Sequence, residues 1–111
     1  MAANGWCPSG RFFEAAACGT PLITDWWEGL ETFFEPEREV RVVANAEDVE
    51  DALKLPKGEL ASMAAQARRR TLEEHTGEVR ARQLLDYLEE ARSSSRAQMA
   101  GRAEMEREVA Q

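Results

Sequence analysis

PSGRFFEAAACGTPLI, residues 8–23, decides the fold because it places a loop, a short helix and a buried strand in immediate succession. A proline and a glycine in the loop break regular structure, and Ser9 has a side chain that can cap a helix. We predict this helix over residues 10–18, with Gly19 as the glycine that ends it. The apolar, β-branched run that follows predicts a buried strand over residues 22–24.

The start of this predicted helix offers a site for an anion. Free backbone N–H groups point out of a helix N-terminus, which suits a diphosphate. Glu14 lies about one turn inside, where its carboxylate could accept hydrogen bonds from two neighbouring hydroxyls such as those of a ribose. A carboxylate near a helix N-terminus is also favoured by the helix dipole alone. Arg11 has three partners open to it: Glu14, Glu28 or a phosphate.

Downstream, the sequence predicts a second strand and a series of helices. The elements are a helical turn over 30–34, a strand over 40–43, and helices over 47–55, 59–74 and 78–92. Strands separated by helical segments favour a parallel α/β arrangement. Parallel sheets normally have several strands and two covered faces, so two strands are few. The fold class predicted is therefore α/β, with a partial Rossmann-like parallel sheet and a predominantly helical C-terminal part.

Two of the predicted helices carry apolar stripes. The first stripe has approximately helical spacing and consists of Leu60, Met63, Ala64, Ala67 and Leu72. The second has a strong amphipathic pattern and consists of Ala81, Leu84, Leu85, Leu88 and Ala91. Three serines at 93–95 predict a linker. We therefore expect a domain over residues 1–92 and a polar, helical or flexible tail over 93–111.

Length, composition and charge exclude several classes of protein. The chain has 111 residues, which suits one domain, and a formal net charge of −7. Its one dense basic cluster, residues 68–70, precedes two glutamates and predicts a solvated helix face, so nucleic-acid binding is not expected. No apolar run reaches the roughly 18–20 residues that span a bilayer, and the first five residues lack the pattern of a secretory signal. The cytoplasm is the expected location.

The cysteines and the histidine give no metal site. Cys7 and Cys18 match no zinc or redox spacing, and His75 is the only histidine that could help them. Cys18 follows three alanines, which predicts a small core residue. His75 lies at a predicted helix junction, where a structural role is expected.

The sequence resembles the CgeB-like glycosyltransferases, whose C-terminal domain belongs to the group 1, GT-B-type enzymes. The resemblance covers residues 4–92. The matching pieces are Pro8-Ser9-x-Arg11-x-x-Glu14-Ala15, Ala17-Cys18-Gly19-x-Pro21, Asp25-Trp26-Trp27-Glu28-Gly29-Leu30-Glu31, Phe33-Phe34-Glu35-Pro36 and Glu74-His75-Thr76. It implies the C-terminal half of a GT-B donor-binding domain.

The resemblance also implies a donor site for a nucleoside diphosphate sugar, and no cofactor is expected. Glu14 matches a glutamate that binds the donor ribose, and three residues match the loop and helix start beside the diphosphate: Ser9, Gly10 and Arg11. The loop near the donor corresponds to Trp26, Trp27, Glu28 and Gly29. The two tryptophans have packing over the end of the sheet as their alternative. Trp6 stands where many group 1 enzymes carry an earlier glutamate, and no residue is implied to be catalytic.

A complete GT-B enzyme has two Rossmann-like halves with the active site between them. The resemblance covers only part of the donor half, which implies an N-terminal truncation with Met1 as an internal methionine that serves as the start. We therefore expect a donor-binding fragment that is inactive as an isolated chain. The alternative is a non-enzymatic α/β interaction module that self-associates or complements a separately encoded N-terminal half.

Overall fold

The computed structural model describes residues 5–110, which form two compact units, residues 5–76 and residues 77–110. Met1, and Asn4 at the edge of the resemblance, lie outside the described residues. The helices are α1 (Gly10–Ala17), α2 (Leu30–Phe33), α3 (Ala46–Leu53), α4 (Lys57–Glu74) and α5 (Gly77–Val109), and the strands are β1 (Ile23–Thr24) and β2 (Arg41–Val42). The first unit contains both strands and α1 to α4, and the second unit is α5.

The two strands pair in parallel, as predicted. Ile23 lies opposite Arg41, and Thr24 lies opposite Val42. The strands are shorter than the predicted ranges of 22–24 and 40–43, but the ladder hydrogen bonds reach the flanking residues. The carbonyl of Leu22 accepts from the Arg41 N–H at 2.9 Å. Within residues 5–110 the sheet contains these two strands, which confirms the α/β class and is consistent with a partial Rossmann-like sheet.

Aromatic side chains from α1 and from the segment after β1 form the core of the first unit. Trp27, Leu30, Phe34 and Val40 are its largest fully buried side chains. The ring of Phe12 from α1 packs edge-on against Trp27, with 6.1 Å between ring centroids, and also contacts Phe34 at 6.3 Å. Burial of this apolar surface is the main force that holds α1 against the segment after β1.

Helix α4 covers the core with most of the predicted stripe, but not with Leu72. It packs against α1 and buries Met63, Ala64, Ala67 and Thr71. Leu72 was expected on this face and is instead 46% exposed. Thr71 takes the inward position because its hydroxyl donates to the Ala67 carbonyl at 2.8 Å, which satisfies the polar group inside the helix.

Arg70 links α4 to two other segments. Its guanidinium contacts the Glu39 carboxylate at 3.1 Å, the Glu74 carboxylate at 3.1 Å and the Thr32 carbonyl at 3.1 Å. The same Glu39 oxygen accepts from the Glu35 backbone N–H at 2.6 Å. The prediction that residues 68–70 form a solvated face is therefore wrong for Arg70, whose side chain is 22% exposed.

His75 ends α4 inside a group of phenylalanines. Its ring centroid lies 5.2 Å from that of Phe13, 5.9 Å from that of Phe33 and 5.5 Å from that of Phe34. Its Nε2 lies 2.7 Å from the Phe33 carbonyl oxygen, which can only accept, so Nε2 carries the proton. This packing agrees with the expected structural role.

Cys18 is exposed, so its prediction as a core residue is wrong. It is the C-cap of α1, and the inward position of that helix belongs to Ala16 instead. Cys7 is also an exposed free thiol.

Helix α5 runs without a break through residues 93–95, so the prediction of a linker there is wrong. The serines are flanked by alanine, arginine and glutamate, which favour a helix and outweigh three residues of lower propensity. At 1.5 Å per residue its 33 residues extend about 50 Å. Leu84, Leu85 and Leu88 of the predicted apolar stripe are 57–62% exposed. None of the helices in the described part of the chain combines the length and apolarity needed to cross a membrane.

Candidate functional site

The N-terminus of α1 is built as the sequence predicts. Ser9 has extended backbone angles, and its hydroxyl oxygen accepts from the Arg11 N–H at 3.3 Å. The Ser9 carbonyl accepts from the Phe12 N–H at 3.0 Å. Gly10 is exposed, and a Cβ built on it would meet no atom within 4 Å. The helix start is therefore open to a ligand, and the first turn carries no acidic residue that would repel an anion.

Glu14 and Arg11 both project from α1 into solvent. Within residues 5–110 neither side chain has an ion pair or a hydrogen bond, so Arg11 pairs with neither Glu14 nor Glu28. A glutamate and an arginine on the first two turns of one short helix thus both remain available to a ligand.

The loop before α1 and the loop after β1 interact through a backbone hydrogen bond and close packing. The Trp6 backbone N–H donates to the Glu28 carbonyl. A Cβ on Gly5 would lie 2.9 Å from the Glu28 Cβ, so the two loops are in close contact. The indole ring of Trp6 packs on Gly29, where a Cβ would lie 2.7 Å from two of its ring atoms. Gly29 has φ of +99°, a left-handed conformation that glycine adopts without strain. These contacts bring Glu28 and Gly29 beside the segment that leads into α1.

The two adjacent tryptophans have different environments. Trp27 is fully buried against Phe12 of α1, so its side chain packs in the core and fixes the loop to the helix. Trp26 is 54% exposed, and its indole N–H lies 3.4 Å from the Glu31 carboxylate. Trp26 therefore remains accessible in the loop that the sequence placed near the donor, whereas Trp27 positions that loop.

The sequence matches the family described as Glycosyl transferase-like over residues 1–86. The chain belongs to the glycosyl transferase-like family. Membership in this family implies binding of a sugar donor. No curated protein and no solved structure shows significant similarity to the chain.

The family match covers the first unit, which also contains the predicted site residues. Residues 1–86 include every predicted site residue of this glycosyl transferase-like chain, from Ser9 to Gly29. In the part of the chain that the structure describes, no group of three or more His, Cys, Asp or Glu side chains is placed to hold a metal ion. Among the predicted site residues, the groups exposed to a ligand are backbone N–H groups, the carboxylates of Glu14 and Glu28, the Arg11 guanidinium and the Trp26 ring.

Sequence reasoning missed the role of Trp6 in this glycosyl transferase-like chain. It identified Trp6 only as the residue at a position where many group 1 enzymes carry a glutamate. The signal that could have found its contact is the pair of glycines at 5 and 29, since both sit where a side chain would collide with the opposite loop. Their partners are distant in sequence, and only the folded chain brings them together.

Proposed function

We propose that the first unit binds the nucleoside diphosphate part of a sugar donor, as the donor half of a CgeB-like, GT-B-type glycosyltransferase. In the complete enzyme the reaction would be glycosyl transfer from a nucleoside diphosphate sugar to an acceptor. The observation that carries the proposal is the open start of α1, with exposed and unpaired Arg11 and Glu14.

In this proposal the diphosphate lies at the start of α1. The backbone N–H groups around Gly10 face it, and the positive end of the helix dipole favours its charge. Ser9 holds the helix start in shape through its cap, and Arg11 adds a cation beside the anion. Arginine suits this position because its planar fork of donors matches phosphate oxygens.

Glu14 lies four residues beyond Gly10, about 6 Å along the helix axis. This is one turn from the diphosphate position, where the ribose of a bound nucleotide falls. A carboxylate has two oxygens and can accept from two neighbouring hydroxyls. We therefore assign Glu14 to the ribose, and the loop at Trp26, Glu28 and Gly29 to the surroundings of the donor. In this loop Trp26 and Glu28 are exposed, whereas Gly29 is buried.

Glu14→Ala is expected to weaken binding of nucleoside diphosphates by about 10- to 100-fold, because hydrogen bonds to a charged acceptor are lost. Calorimetric titration with UDP, ADP and GDP measures this effect. Glu73→Ala, which removes an exposed carboxylate of α4, is the matched control and should bind like wild type.

A titration with the 2′-deoxy form of the bound nucleotide tests the contact between Glu14 and the ribose directly. Wild type should bind the deoxy form less tightly than the ribose form, whereas Glu14→Ala should no longer distinguish the two. Absence of binding by wild type, or equal affinities of wild type and Glu14→Ala, would contradict the proposal.

The second candidate function is a non-enzymatic module that self-associates or complements a separate N-terminal half. It is favoured by the exposed leucines of α5 and by Ile23 in the two-stranded sheet, which is also exposed. Apolar surface of this kind tends to be covered by a partner.

Self-association predicts a dimer or larger species in light scattering at high protein concentration. Leu85→Glu should shift the population toward monomer, because it places a charge in the apolar stripe of α5. Leu53→Glu, at an exposed leucine of α3, is the control and should leave the mass unchanged. A wild-type mass that stays monomeric across the concentration range rules out self-association.

A further inference from the structure

Trp6 combines three properties that packing alone does not explain. Its side chain is 59% exposed, although tryptophan is the largest of the apolar side chains. Its backbone has φ of +50°, a left-handed conformation that is an outlier for a bulky residue. Its N–H is nevertheless tied to the Glu28 carbonyl. Strained residues that the surrounding structure holds in place are concentrated at ligand sites.

The Trp6 ring packs on Gly29. A Cβ on Gly29 would lie 2.7 Å from Cδ2 and from Cε3, and 3.2 Å from Cε2, all of which are atoms of the six-membered ring. The indole therefore rests directly on the Gly29 backbone. The result is a flat apolar surface, fixed on one side by backbone and open to solvent over more than half of its area.

The position of Trp6 along the chain relates it to one end of the donor. A nucleoside diphosphate sugar is linear, in the order base, ribose, diphosphate, sugar. With Glu14 on the ribose and residues 9–11 at the diphosphate, the donor lies along α1 with its sugar end toward the N-terminus of the helix. The next group past the diphosphate is the sugar, and the segment that precedes the helix start in the chain is the loop that carries Trp6. The base lies at the opposite end of the donor.

We propose that Trp6, seated on Gly29, is the platform for the glycosyl ring of the donor. The inference rests on the proposed donor site and adds a subsite to it. A pyranose ring has an apolar face of C–H groups, and the negative face of an aromatic ring attracts such groups. Trp6 therefore determines binding of the sugar and contributes little to binding of the nucleotide.

The test compares each nucleoside diphosphate with its sugar ester: UDP with UDP-glucose, ADP with ADP-glucose and GDP with GDP-mannose. The quantity measured by calorimetry is the ratio of the two affinities, which cancels effects on the nucleotide. Trp6→Ala is expected to lower this ratio by about three- to tenfold, with the affinity for the parent diphosphate within about twofold of wild type. Trp6→Phe keeps a flat ring and should retain most of the ratio.

Gly29→Ala provides a second variant, because its Cβ would collide with the indole, although its φ of +99° also strains the loop backbone. It should lower the ratio as Trp6→Ala does, and near-UV circular dichroism shows whether both variants keep the folded aromatic core. An unchanged ratio in Trp6→Ala, or equal losses for the diphosphate and its ester, overturns the sugar platform and leaves the nucleotide site intact. Failure of wild type to bind any of the six compounds overturns the nucleotide site and the platform together.

Discussion

Phe34→Ala is expected to lower the free energy of unfolding of the first unit by about 3–5 kcal/mol. Phe34 is fully buried, and its ring contacts those of Phe12, Phe13 and His75. Truncation removes buried apolar surface and leaves a cavity that the neighbouring rings, on α1 and at the end of α4, cannot close. Urea titration followed by tryptophan fluorescence measures the effect, since Trp27 lies in the same core.

A loss of this size is a large part of the total stability of a small domain, which is about 5–15 kcal/mol. Phe34→Leu keeps more of the apolar volume and should lose about 1.5 kcal/mol, which keeps the measurement in range. Leu53→Ala is the control because Leu53 is an exposed leucine of α3, and its expected change is within about 0.5 kcal/mol. Similar midpoints for Phe34→Ala and Leu53→Ala would show that Phe34 is not part of the core.

Glu39→Ala is expected to destabilise the first unit by about 2–4 kcal/mol. The Glu39 side chain is 11% exposed, and its carboxylate accepts from both the Arg70 guanidinium and the Glu35 N–H. Its removal leaves a largely buried guanidinium and a backbone donor without that acceptor. Chemical denaturation at neutral pH, with midpoint and slope both fitted, measures the loss.

Glu74→Ala is the matched control because Glu74 pairs with the same arginine at the same distance of 3.1 Å. The Glu74 side chain is 55% exposed, and exposed ion pairs contribute about 0–1 kcal/mol. The two variants therefore separate the effect of burial from the effect of pairing with Arg70. Equal losses in the two variants would mean that burial does not decide the strength of the Glu39 pair.

Local sequence predicted the part of the fold that local forces determine. The α1 helix and its Ser9 cap depend on residues within one turn of each other, and both were predicted correctly. The parallel pairing of β1 and β2 followed from strands separated by helical segments. The resemblance over residues 4–92 indicated a glycosyltransferase, and the match over residues 1–86 supports this at the level of the family.

The errors have a common physical origin in contacts between distant residues. Local sequence predicts a solvated Arg70 because Glu39 is far from it in sequence, although the fold brings the two side chains together. Leu72 was placed in the core by helical spacing, but contact with α1 selected Thr71 instead. In the same way, no local pattern reveals that the Trp6 ring lies on Gly29.

His75 has a further consequence for how this protein can be observed. It is the only histidine in the chain, so its imidazole C–H protons give the only histidine signals in a proton NMR spectrum. Three phenylalanine rings surround it within 6 Å between centroids, and their ring currents displace those signals only while the rings are packed. One resolved resonance, without isotope labelling or assignment, thus reports whether α1, α2 and the end of α4 are assembled.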